Sequence, residues 1–230
     1  MSNKPIEPNP FLDEKVALEW INSIENESKM IRDNELYPVL EKWAKEVSPK
    51  LLVDIGAGQG ICADHVQFGE TYYVGIEPSE FLVKRASEKY KQENREFIVG
   101  DAYKLPLQDK VVDAALSVNV WFHLKDLALA SRELSRVLAS GGKFLISTAN
   151  PKAYDIWRKM YFDAQEDDEK IDGKVNVPVN PLSRNIFYKH TRDSILNAIK
   201  ENGLQVDKEE DIGFLEFKDS LFVNYFGHKL

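Results

Sequence analysis

The segment LLVDIGAGQG, residues 51–60, holds the residue types most able to do chemistry. A short apolar run carries Asp54 and then breaks into Gly56, Ala57, Gly58 and Gly60. Glycine permits a sharp turn and lets the backbone approach a ligand with no Cβ in the way. A helix starting after Gly60 adds free N–H groups beside that ligand. The spacing is G-x-G-x-G. A dinucleotide fingerprint needs G-x-G-x-x-G, and its third glycine would stand where this chain has Ile61. A carboxylate at Asp54 suits a ligand with an ammonium group or a cationic sulfur, and it would repel a pyrophosphate. The bland alternative is an ordinary strand–turn–helix junction.

Two histidines are candidate catalytic bases. His123 follows an apolar strand, at the edge of a parallel sheet where ligands bind. An ordinary imidazole pKa near ~6.5 suits proton removal. The same residue serves equally as a helix cap or a pocket wall. His190 opens a late helix, and its plainer role is packing on Phe187 or Tyr188. Cys62 reads as a small buried residue rather than a nucleophile.

The elements that must position these residues follow from periodicity. Residues 1–10 contain three prolines and read as a loose tail. Leu12, Val16, Trp20 and Ile24 recur at helical spacing. A second helix is expected to be capped by Asp33 or Asn34, with Pro38 in its first turn, and to end at Ser48-Pro49. Strands are expected at 51–55, 71–76, 96–99, 111–118 and 143–148. Helices alternate with them at 80–93, with Ser79 as N-cap, and at 124–138, stopping at Gly141-Gly142. A helix at 191–201 and two final strands complete the chain. This rhythm predicts an α/β fold with a mainly parallel sheet and helices on both faces.

The stretch VDIGAGQG resembles the first motif of class I S-adenosylmethionine (SAM)-dependent methyltransferases. The likeness continues in order along residues 45–149 and again along 186–230, where it is similar to the small-molecule branch with type-11 domains. Glu77, followed by Pro78, matches the acidic residue that holds the ribose hydroxyls. Asp101 in VGDAYKLPL matches the one near the adenine amino group, with Ala102 beside it. VVDAALSVNVWFHL resembles the fourth-strand motif, whose end, Ser117 and Val118, lies under the methionine part of the cofactor.

The resemblance implies a Rossmann-like, seven-stranded doubly wound sheet with the last strand antiparallel beside the fifth. It implies an N-terminal helical cover at 1–48 and a methyltransferase domain at 49–230, with a lid or substrate insertion at 150–189. The cofactor site is expected from Asp54, Gly56, Ala57, Gly58, Gly60, Glu77, Pro78, Asp101, Ala102, Ser117, Val118 and His123. Arg32 joins them as a partner for the cofactor carboxylate, and Trp20 and Tyr37 could line the pocket. The acceptor is expected among Trp121, Phe122, Tyr154, Trp157 and Tyr161, whose near-helical spacing in the insertion fits plain packing as well. Methyl transfer by in-line displacement needs positioning first, and a base only if the nucleophile must lose a proton.

Composition bounds the rest. The chain has 230 residues, with 38 Asp and Glu against 30 Lys and Arg, and a formal net charge of -8. That balance argues against nucleic-acid binding, which needs a basic face. A single cysteine excludes a disulfide framework and a Cys-cluster zinc site, and no metal is expected. No run approaches the ~20 apolar residues of a membrane span, and the N-terminus lacks a signal-peptide core. The reading is a cytoplasmic protein, monomer or homodimer, that methylates a small molecule. A nicotinamide-dependent oxidoreductase and a non-catalytic SAM-binding interaction module are the alternatives.

Overall fold

The computed structural model describes residues 9–26, 32–65, 69–166, 168–175, 184–213 and 220–230. Five parallel strands come first: β1 (Leu51–Ile55), β2 (Tyr72–Glu77), β3 (Arg95–Val99), β4 (Val112–Val118) and β5 (Leu138–Ala149). After β6 (Tyr161–Glu166), β7 (Lys170–Val175) and β8 (Arg184–Tyr188), the chain returns with β9 (Leu204–Ile212) and β10 (Phe222–Lys229). The main sheet runs β3-β2-β1-β4-β5-β10-β9, and β10 is antiparallel to both its neighbours. This is the expected seven-stranded doubly wound sheet. Its order reverses between β1 and β4, which opens a crevice at the carboxyl ends of those strands.

Alternation along each strand splits the core. Val53 and Ile55 face one apolar cluster, together with Leu127 and Leu134 of α5 (Leu127–Val137) and Ile195 and Ile199 of α7 (Arg192–Glu201). Leu52 faces the other, with Leu40 and Trp43 of α2 (Tyr37–Val47), Cys62 of α3 (Ile61–His65) and Ala86 of α4 (Glu80–Tyr90). The period of two along a strand sends successive side chains to opposite faces. An N-terminal helix, α1 (Glu14–Asn26), completes the cover, with Ala17 and Ile21 packed on Leu82. No helix among the described residues is long and apolar enough to cross a membrane.

Several local expectations are corrected. Of the loose tail expected at 1–10, residues 1–8 lie outside the described ones, and residues 9 and 10 are ordered. Asn9 Oδ1 accepts from Phe11 N at 3.0 Å and Pro10 opens a 3-10 turn. Neither Asp33 nor Asn34 caps α2, because a π-helical run, Arg32–Leu36, feeds directly into it. α5 begins at Leu127, where Asp126 caps it by accepting from Leu129 N at 3.0 Å, and Trp121–His123 forms a separate 3-10 turn. It ends at Val137, because Leu138 is extended and starts β5, so Gly141 and Gly142 lie in an irregularity of that strand. The described parts of the 150–189 insertion carry regular structure. α6 (Tyr154–Met160) gives way to an antiparallel sheet, β6-β7-β8. Glu166, at the end of β6, pairs with Arg158 at 3.1 Å and Lys189 at 2.9 Å.

Candidate functional site

A cavity of about 440 Å³ opens at the sheet's reversal point. The N-terminal turn, the glycine turn after β1, the end of β2 and the segment after β4 all contribute to its walls. Gly58 sits there with φ +56, and a Cβ built on it would meet nothing within 4 Å, so the backbone faces open space. Gly60, with φ +81, differs. Its missing Cβ is filled by Phe97 and Tyr90, and it does not line the cavity.

The wall polarity is unusual. Eight buried side-chain polar atoms among the described residues lack a hydrogen-bond partner, and four of them belong to cavity residues. They are Tyr37 Oη, Asp54 Oδ1, Gln59 Nε2 and Asn119 Oδ1. Each such atom costs roughly 1–3 kcal/mol when left unmade, so a cluster of them around one cavity marks a ligand site. The set offers two acceptors and two donors, and the buried guanidinium of Arg32 lines the same wall. Acceptors for an ammonium beside donors for a carboxylate fit the amino-acid end of SAM.

The acidic frame is held from behind. Tyr73, fully buried, donates its hydroxyl to Asp54 Oδ2 at 2.5 Å, leaving Oδ1 for the cavity. Burial raises the Asp54 pKa to about 7 against the Tyr73 hydrogen bond, and the nearby Glu77 raises it further. Glu77 ends β2 and accepts from Gly58 N at 3.1 Å and Ser79 N at 3.0 Å. Those bonds orient the carboxylate, while burial lifts its pKa to about 7. Asp101 is exposed at the rim, where Oδ1 accepts from Tyr103 N at 2.7 Å in an Asx turn. Ala57, Pro78, Ala102 and Val118 also line the cavity, whereas Ser117 turns its hydroxyl to Ile55 O at 3.0 Å.

The histidines separate. His123 lines the cavity, and its Nδ1 lies 2.9 Å from Ile186 O of β8. Burial lowers its pKa to about 4. His190 does not line the cavity. Its Nε2 donates to Leu124 O at 2.7 Å, tying the start of α7 to the segment after β4.

Of the expected acceptor aromatics, Trp121, Phe122, Tyr154 and Trp157 do not line the cavity. Trp121 is in the sheet core, and Phe122 and Trp157 form an apolar cluster with Phe187 and Leu221. Trp157 Nε1 donates to Leu221 O, and Tyr154 donates to His190 O. Tyr161 lies in β6, but its side chain is outside the described ones. The aromatic wall comes instead from Phe11, Trp20, Tyr37, Tyr103 and Tyr188. Asn119, at φ +59 just past β4, was legible as a left-handed position that asparagine favours. Nothing in the sequence pattern points to Tyr73 or Ile186, which act across strands.

The family model described as "Methyltransferase domain" matches residues 53–146, the span from β1 to β5 that builds most of this site. Over that span the chain is similar to the methyltransferase family. A fatty-acid O-methyltransferase of Mycolicibacterium smegmatis is 31% identical over 52% of this chain and 44% of its own length. A probable SAM-dependent methyltransferase of the same organism is 29% identical over 88% of this chain and 65% of its own. The chain therefore spans less than two thirds of these relatives. The crystal structure of a Pyrococcus horikoshii protein superposes with a TM-score of 0.68 at 22% identity, covering 96% of each chain, which establishes the shared fold. A domain of the SAM-dependent methyltransferase kind implies SAM as cofactor.

Proposed function

We propose that this chain binds SAM in the cavity and transfers its methyl group to a small-molecule acceptor. The observation that carries the reading is the cluster of unpartnered polar atoms beside Asp54. Asp54 and Asn119 would hold the ammonium, and Arg32 and Tyr37 the carboxylate. Glu77 would accept the ribose hydroxyls with the lone pairs that Gly58 and Ser79 leave free. Asp101 and Ala102 would meet the adenine. When bound, SAM supplies an electrophilic methyl on sulfur. The chain's task is then to exclude water and hold the acceptor in line. The relative named for a fatty acid makes an apolar acceptor a natural class, and the apolar wall of Phe11, Leu12, Trp20 and Leu124 supports it. A cytoplasmic monomer or homodimer belongs to the same reading.

Calorimetric titration with S-adenosylhomocysteine (SAH) tests it. Saturable SAH binding with no binding of a nicotinamide dinucleotide is expected. Dinucleotide binding without SAH binding would return the chain to the oxidoreductase class. SAH binding with no turnover across a broad acceptor panel would favour the non-catalytic module.

A further inference from the structure

His123 stands on the cavity wall, but its chemistry is set by another module. A carbonyl oxygen only accepts, so the contact with Ile186 O means that Nδ1 carries the hydrogen. Burial keeps the ring neutral, and a neutral ring protonated at Nδ1 has a bare lone pair at Nε2. No described residue hydrogen-bonds that nitrogen. The surroundings are aromatic. Phe11 meets the ring edge-on at 5.8 Å, Phe122 lies at 4.2 Å and Phe187 at 5.2 Å, and Trp20 stands behind Phe11 at 5.2 Å. A lone pair in an apolar wall is an acceptor waiting for one donor.

We infer that the acceptor's nucleophile is an uncharged hydroxyl on an apolar or aromatic body, and that His123 Nε2 accepts its hydrogen. This rests on the methyl-transfer reading above. The acceptor oxygen forms the new O–C bond with its lone pair. The S–C bond breaks and its electron pair stays on sulfur. The hydroxyl proton passes to Nε2, so the positive charge lost by sulfur appears on the imidazolium, which later releases the proton to water. Nδ1–H stays bonded to Ile186 O throughout, so the β8 carbonyl acts as a positioning group that fixes the tautomer. A carboxylate fits this place badly, since it has no hydrogen to offer and would face the lone pair. Lys125, which also lines the cavity, is the cation a carboxylate would use instead.

Two measurements on the full chain saturated with SAH decide it. In the first, NMR of the imidazole nitrogens at neutral pH should show His123 protonated at Nδ1 alone. Protonation at Nε2, or an imidazolium, overturns the inference. Failure to bind SAH at all instead sinks the methyltransferase reading. In the second, a naphthol, the matching naphthoate and the matching methoxynaphthalene are titrated into the SAH complex. The naphthol should bind about tenfold more tightly than either, the worth of one hydrogen bond in an apolar site. In His123→Phe that preference over the methoxy compound should vanish, with circular dichroism confirming the fold. Tighter naphthoate binding, an unchanged preference in the variant, or no binding by any of the three overturns the assignment.

Discussion

Asp54 and Glu77 are carboxyl groups kept in the neutral range by burial, with Asp54 raised further by its neighbour. A ligand ammonium at Asp54 and hydroxyl donors at Glu77 favour the ionised forms, so binding below about pH 7 must expel protons. The sign follows directly: SAH affinity rises as pH rises through about 7 and falls below it. Calorimetry in buffers of different ionisation heat would count the protons released. Asp54→Asn should lower SAH affinity roughly ten- to hundredfold and make that pH profile shallower, leaving the part due to Glu77. A flat profile in the unmodified protein would contradict the ionisation argument. Tyr73 matters here as a positioning residue, since its hydroxyl occupies Oδ2 and commits Oδ1 to the cavity.

Between elements, the polar and aromatic side chains sort by what each strand alternation buries. Trp157 anchors α6 on Phe122, Phe187 and Phe222, with ring centroids 5.3–6.2 Å away. Trp157→Ala should therefore cost about 3–5 kcal/mol in denaturant unfolding and leave SAH affinity unchanged. Lost SAH binding in a folded variant would put the tryptophan back at the site. Two residues on from Phe222 along the same strand pair, Asn224 of β10 lies opposite Ser147 of β5, both fully buried and with unpartnered side-chain atoms. Neither lines the cavity. Replacing a buried orphan by an apolar group of similar size removes a penalty, so Asn224→Leu should leave Tm unchanged or raise it. A lower Tm would show that the amide holds a buried water.

At the scale of the molecule, the cavity draws on residues from Asn9 to Tyr188, so a ligand there ties the N-terminal cover, the main sheet and the β6-β7-β8 sheet together. Linkage makes the outcome measurable. SAH at a hundredfold excess over its Kd should add ~2.7 kcal/mol to folding stability. For a chain of this size that is roughly 5–10 °C in Tm. Hydrogen exchange should slow at the N-terminal turn and at β8 together. Protection confined to the glycine turn would mean that the cover and the small sheet do not close on the ligand.

How much of this was legible in the sequence depends on the range of each interaction. The glycine turn, Asp54, Glu77, Asp101 and the strand–helix rhythm are local, because turn geometry, capping and alternation act over a few residues. They determined the fold class and which residues were expected to hold a cofactor. The partners brought together across strands and modules were decided by tertiary structure alone: Tyr73 on Asp54, Phe11 on His123, and Ile186 O on Nδ1. The aromatics of 121–157 show the same limit, since helical spacing identifies an apolar face but not which neighbour covers it. Packing turned those rings into the core and left the cavity's aromatic wall to Phe11, Trp20 and Tyr188, which only the tertiary structure brings together.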